Sequence, residues 1–451
     1  MPCRNAKIIA AFVVAAAVWL LAVSTAFAQM GQLFEDFGIG PRDAGMGNTG
    51  TAAADDYSAV FYNPAALVRV DGLNLDLGYK GVYPHLHMKI GNYHDRYFTQ
   101  YPNTNFFVLG FGWNLKIERF IDPKYTERFS VGLAVALSDY YKSFAVFYDE
   151  DTPYFFRYHD RYLNLLSIYL SMSFRIFDWF SIGGGIVPAP SDTYTDVTVN
   201  SNFRLPDYEY WADQGTITRS YGKLEPVLGV LFRIPNDRLK DYLSIGLTWR
   251  DEVYSIDGNG IATDYTKVHF EGQTISLPPS DTPILTLTGW TPMQVIGGVA
   301  IHPIDGMTLT VEELWKRWSR WKNFFIEHPD PRFSNTWNTR MGGEQIFDLD
   351  NHTLDSFTIR AGIYRELSPA PNQNGESNYI DPDKWVFTFG FDAAWNDPFD
   401  IMRIPIHTAV AGQAHLIDKV RLHNNQDPDY PALDAWGEIY SFTGTVGIDF
   451  K

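Results

Sequence analysis

The residues of this 451-residue chain best placed to do chemistry are charged groups set inside otherwise apolar, alternating stretches. Arg360 lies in Phe357-Thr358-Ile359-Arg360-Ala361-Gly362-Ile363. If Phe357, Ile359, Ala361 and Ile363 share one strand face, Arg360 takes the other, and a guanidinium withdrawn from water needs a carboxylate. Asp392, at a similar height on the next segment, and Glu312, two segments away, are the candidate partners. The trio reads either as an ion network in a wall or as a site for the headgroup of a ligand. Catalytic chemistry finds little support. There is no Gly-x-Ser-x-Gly elbow, no His-Glu-x-x-His and no P-loop. Gly183-Gly184-Gly185 is too short to cradle a phosphate, and His94-Asp95 and His159-Asp160 fall in polar connections. Asp257-Gly258-Asn259-Gly260 has oxygen donors for calcium but reads as a tight turn. The expectation is a non-enzyme without cofactor or metal.

The elements that must position these groups are strands behind a secretion signal. Arg4 and Lys7 precede an apolar run from Ile8 to Val23, and Ala26-Phe27-Ala28 gives a small-x-small cleavage pattern, so residues 1–28 are expected to be removed. The one cysteine, Cys3, lies in that signal. Net charge is −17, and the signal contributes only basic residues, which argues against nucleic acid as a partner. No second apolar run is long enough for a membrane helix. Aromatics make up 16% of the chain, and period-2 alternation dominates it. Leu166, Ile168, Leu170, Met172 and Phe174 oppose Ser167, Tyr169, Ser171 and Ser173; Trp385, Phe387, Phe389 and Phe391 oppose Thr388, Gly390 and Asp392. A face of Gly, Ser, Thr and Ala with few charges suits a crowded lumen, and the pattern predicts a membrane-spanning barrel.

Fourteen such segments can be placed, near 73–90, 105–117, 129–148, 161–176, 180–198, 220–234, 241–258, 286–302, 307–325, 335–348, 355–367, 384–396, 402–417 and 437–450. An even number puts both chain ends on one side, and short turns such as Phe177-Asp178-Trp179 alternate with long polar loops at 91–104, 149–160, 199–219, 259–285, 368–383 and 418–436. The fold expected is all-β: a 14-stranded antiparallel β-barrel in the outer membrane of a Gram-negative cell. Two stretches stand apart. Residues 39–66 are rich in small residues and end at Asn63-Pro64-Ala65, a run that suits no ordinary helix or strand and reads as an irregular plug. Phe203, Leu205, Tyr208, Tyr210 and Trp211 set aromatics in a polar loop, where they either dock on another loop or line an entry groove.

Gly40-Pro41-Arg42-Asp43-Ala44-Gly45-Met46-Gly47, then Ala54-Asp55-Asp56 and Tyr62-Asn63-Pro64-Ala65, resemble the N-terminal region of the FadL/TodX family of outer-membrane transporters for long-chain fatty acids and other hydrophobic compounds. Ile359-Arg360-Ala361-Gly362-Ile363-Tyr364, Ser368-Pro369-Ala370-Pro371 and Asp381-Pro382-Asp383-Lys384-Trp385 extend the resemblance downstream. It implies an N-terminal hatch (29–72) inside a barrel (73–451), with Asn63-Pro64-Ala65 as the hatch tripeptide. It also implies a lateral opening in the third strand at Leu137, Ser138, Asp139 and Tyr140, where a plain β-bulge is the competing reading. Cargo would be captured at the extracellular loops, rearrange the hatch and leave sideways into the membrane without energy input. The partners implied are hydrophobic small molecules, outer-membrane lipid and lipopolysaccharide, and the barrel insertion machinery, which reads the aromatic last strand; the chain is expected to be a monomer. The fifth strand near Ser191-Asp192 lacks the basic residue that the fatty-acid transporter carries there, favouring a neutral cargo. The alternative function is an outer-membrane component of protein secretion or assembly that uses a related hatch motif.

Overall fold

The computed structural model describes residues 33–450 except for 91–92, 95–102, 116–127, 139–144, 148–152, 157–165, 189–194, 206–207, 219–223, 235–241, 257–259, 271–272, 277–279, 285–286, 323–327, 329, 350–352, 372–377, 397–404 and 423–431. The signal expected at 1–28 lies outside these residues. Among the described residues fourteen strands close one antiparallel sheet, with the two-residue strand Tyr93–His94 added at the end of the first: β1 Leu73–Ile90, β2 Thr104–Asn114, β3 Phe129–Ser138, β4 Leu166–Phe177, β5 Phe180–Pro188, β6 Leu224–Ile234 and β7 Leu243–Arg250. The second half supplies β8 Gln294–Ile301, β9 Met307–Lys316, β10 Thr336–Asp348, β11 Leu354–Glu366, β12 Lys384–Trp395, β13 Ile406–Leu422 and β14 Leu433–Phe450.

Each strand pairs with the next, and β1 also pairs with β14 along its whole length, from Leu73 opposite Phe450 to Ile90 opposite Leu433. The sheet is therefore closed, as a spanning structure must be when no water is present to satisfy a free edge. Period-2 alternation then sorts the side chains. Leu77, Met172, Leu228, Val311, Trp337, Phe389 and Val446 point outward and are exposed, whereas Asn74, Asp76, Lys80, Ser171, Thr310, Arg340 and Thr388 point inward and are buried. An apolar belt around a polar interior is stable with lipid outside and would aggregate in water. At the short-turn end Phe177 stacks on Trp179 at 5.3 Å and Phe180 on Phe232 at 4.7 Å, aromatics of the kind that settle at a membrane interface. No described helix is long and apolar enough to cross a membrane.

Several boundaries differ from the sequence reading. The ninth strand stops at Lys316, and Trp318–Arg320 forms a 3-10 turn instead of continuing to 325. The eighth begins at Gln294, not near 286. Residues expected as loops at 199–219 and 259–285 carry regular strands. Thr195–Leu205, Tyr208–Thr218, Gly260–Phe270, Gln273–Ser276 and Ser280–Ile284 form a five-stranded sheet in a separate compact unit. Their polar composition hid them: these stretches show little of the apolar alternation by which barrel strands are recognised. Within the barrel unit, Ala145–Phe147, Pro153–Phe156 and Asn378–Ile380 make a small further sheet.

The closing seam is stapled from inside. The Nε2 of His407 on β13 lies 2.7 Å from Asp76 on β1, and its Nδ1 lies 3.2 Å from Asp449 on β14. Asn74 donates to the second oxygen of Asp449 at 2.7 Å. Replacing His407 with Ala leaves two neighbouring carboxylates without their shared partner. The expected loss is about 3 kcal/mol, read as a lower urea midpoint for barrel unfolding in lipid bilayers with unchanged m-value.

Candidate functional site

Residues 33–72 are the described part of the N-terminal segment expected at 29–72. They form short helical turns at Leu33–Phe37, Pro41–Gly45 and Ala59–Tyr62 and a 3-10 turn at Pro64–Arg69. This corrects the expectation of a wholly irregular run. Pro41 and Pro64 sit at first helical positions, where a missing N–H costs nothing, and Gly38 and Gly47, with φ of 68° and 70°, follow the turns Leu33–Phe37 and Pro41–Gly45. Nearly every residue from Phe34 to Val70 is buried.

The segment is held by strands on every side of the barrel. Asn63 donates to the Val230 carbonyl on β6 at 3.1 Å and to the Thr51 carbonyl at 2.8 Å, while its side-chain oxygen accepts from the Ala65 amide at 3.0 Å. It thus caps the 3-10 turn and contacts the wall, so the turn and anchoring readings of Asn-Pro coexist. Gly47 donates its amide to Thr388 on β12, which donates to the Gly45 carbonyl. The Thr51 amide donates to Glu312 on β9 at 3.0 Å. Arg42 reaches Glu344 on β10 at 2.6 Å. Asn48, buried and left-handed at φ 59°, donates to Tyr364 and to the Asp36 carbonyl and accepts from Tyr62 and Gln413. Asn tolerates that conformation better than other residues with a side chain.

Close approach requires glycine on the wall. A Cβ on Gly342 would lie 2.0 Å from the Met46 carbonyl oxygen, one on Gly246 2.1 Å from that of Thr51, and one on Gly362 2.3 Å from the Gly47 amide nitrogen. The small-residue face read from the sequence is the surface on which the segment rests.

Of the residues singled out in the sequence, Arg360 is buried and pairs with Glu344 at 2.9 Å and Asp392 at 3.3 Å. Glu344 thus bridges Arg360 and Arg42, a link the sequence reading missed. Glu312 does not join this network; it faces Arg340 in the β-ladder and holds Thr51. Leu137 and Ser138 end β3 in regular pairing with β2, and Leu137 is exposed; Asp139 and Tyr140 lie outside the described residues. Phe203, Leu205, Tyr208, Tyr210 and Trp211 fall on a backbone hairpin in which Phe203 pairs with Tyr210 and Leu205 with Tyr208.

A second ion cluster had no sequence signal. Lys316 on β9 lies 3.0 Å from Glu35 and 3.6 Å from Glu366, and Lys384 on β12 lies 3.0 Å from Glu366 and 3.6 Å from Asp36. Beside it Phe34 packs edge-on against Phe106 and Tyr169, at 5.8 and 6.1 Å. At the short-turn end a cavity of about 500 Å³ is lined by Arg42, Asp55, Arg69, Arg175, Arg233 and His302, among others. Among the described residues no cluster of His, Cys, Asp and Glu has the makings of a metal site.

No family model matches the chain. It is 23% identical over 446 residues to alkane uptake protein A of Marinobacter nauticus, covering 94% of this chain and 92% of that one. Among solved structures it superposes on a FadL homologue from Pseudomonas aeruginosa with a TM-score of 0.56 at 14% identity, covering 91% of this chain and 98% of that one. The CymD monoaromatic hydrocarbon channel gives 0.54 at 13% identity, with coverage of 94% and 99%. The toluene transporter TbuX of Ralstonia pickettii gives 0.51 at 13%, with coverage of 93% and 100%. The likeness drawn from the motifs thus extends to the fold: among the described residues the chain is a closed antiparallel β-barrel like those of these structures.

The seating of the segment can be probed in two ways. Gly342→Ala pushes a methyl group into the Met46 carbonyl without touching the β-ladder, so the segment should lift and single-channel conductance in planar bilayers should rise. Burial pushes the Asp43 carboxyl up to about 7, against the pull of Arg42, whereas in a released segment it returns to its ordinary value near about 4. The seated state binds the extra proton, so this contribution to seating is complete below about pH 4 and is lost as pH rises through about 7. Protease cleavage within residues 39–66 should be faster at pH 8 than at pH 5, and Asp43→Asn should flatten most of that difference.

Proposed function

We propose that this barrel carries hydrophobic small molecules passively across the outer membrane, with the N-terminal segment as its hatch. The observation that carries the proposal is the way the segment is seated. Its apolar side chains pack with those of the wall, as Phe34 does on Phe106 and Tyr169, while its polar hold is distributed over separate strands through Asn63, Gly47, Thr51 and Arg42. Polar contacts spread over separate strands can be exchanged one at a time for water or for other partners, as a segment that must move requires. The names of the relatives agree with an apolar cargo: alkane uptake, monoaromatic hydrocarbon channel and toluene transporter.

The chemistry needed is modest. A hydrocarbon outside the cell faces a hydrated lipopolysaccharide layer and gains free energy once shielded from water. Capture among the long loops, rearrangement of the hatch and sideways exit near the end of β3, at Leu137–Tyr140, would let it reach the lipid without crossing that layer. No covalent step and no cofactor is required.

A Gram-negative host lacking its own hydrophobic-uptake barrels, given this chain, should take up radiolabelled hexadecane and toluene faster than the same host with an empty vector. Equal rates for both compounds, with the barrel folded in the outer membrane, would contradict the proposal.

A further inference from the structure

The cluster around Lys316 and Lys384 bears on which cargo the barrel accepts, a question that rests on the transport reading. Inside a low-dielectric lumen, lysines beside an aromatic pocket would attract a carboxylate with an apolar tail. Here those lysines are already engaged. Lys316 is fully buried against Glu35 and Glu366, and Lys384 against Glu366 and Asp36. Glu35 and Asp36 belong to the N-terminal segment, Glu366 to β11. The neighbouring cations are turned to the segment as well. Arg340 donates to the Glu35 carbonyl at 3.1 Å and stands over the Tyr364 ring, and Lys80 donates to the carbonyls of Phe37 and Gly38. Gln294 adds a hydrogen bond to the Glu35 carboxylate. Deeper in the lumen Arg360 is shared between Glu344 and Asp392.

We infer that Glu35 and Asp36 determine specificity: they cap Lys316 and Lys384 so that the lumen admits neutral hydrocarbons and rejects carboxylates. An incoming carboxylate must either displace these two side chains from buried partners or lie beside them and Glu366 unpaired. Like-charge repulsion and lost hydration make both routes costly. A neutral alkane or monoaromatic pays neither cost, and needs only the apolar surroundings that Phe34 shares with Phe106 and Tyr169. Discrimination is thus built from a repulsive element supplied by the chain itself.

The test removes the caps without removing the cations. In the same host, uptake of radiolabelled oleate and hexadecane is compared for wild type, Glu35→Gln/Asp36→Asn, and a variant combining these with Lys316→Gln and Lys384→Gln. Wild type is expected to favour hexadecane. The double variant should raise the oleate-to-hexadecane ratio about tenfold by exposing the lysines, and the quadruple variant should lose that gain. A wild type that takes up oleate as readily as hexadecane, or a double variant that raises both compounds equally, overturns the inference while leaving the transport reading intact. Failure of wild type to take up either compound contradicts the transport reading itself.

Discussion

Closure of the sheet is the constraint on which the rest of the molecule depends. In a bilayer each backbone amide needs an internal partner, so the pairing of β1 with both β2 and β14 is a condition for the fold to exist in lipid at all. Closure converts a period-2 sequence into an outside and an inside. The outside is decided by lipid, hence Leu, Phe, Trp and Val. The inside is decided by what must fit there. His407, set between Asp76 and Asp449 where the first strand meets the last two, ties the seam at the end where the segment enters the chain's first strand.

Inside, space and polarity are set by the N-terminal segment. Glycines on β7, β10 and β11 let backbone meet backbone at distances no side chain would allow. Charged residues from strands far apart in sequence then converge on it: Glu344 on Arg42, Lys316 on Glu35, Lys384 on Asp36. The resulting interior is crowded, with apolar packing and polar contacts side by side. The same contacts occupy Lys316 and Lys384, and on the proposed reading this would tie the seating of the segment to the cargo admitted.

The barrel was legible in the sequence because lipid enforces alternation locally: Trp385, Phe387, Phe389 and Phe391 announce their face without reference to any partner. Asn63 was legible through the same local chemistry, an Asn-Pro step that caps a turn. The short helical turns were missed although Pro41 and Pro64 signalled them. The five-stranded sheet of the separate unit was missed because its strands are polar. The ion clusters were hardly legible, because Arg42 and Glu344 are 302 residues apart and only the closed topology brings them together. Of the trio expected from alternation, Arg360 and Asp392 lie side by side while Glu312 stands apart against Thr51.

That the segment moves during transport can be tested by holding it still. The chain's one cysteine lies in the predicted signal, so an introduced pair has no competitor. A Cβ at Gly298 on β8 would stand 3.4 Å from that of Ala52, close to the spacing a disulfide needs. Cells carrying Ala52→Cys with Gly298→Cys should lose hexadecane and toluene uptake when oxidised and regain it on reduction. Undiminished uptake through the cross-linked barrel would contradict a moving hatch.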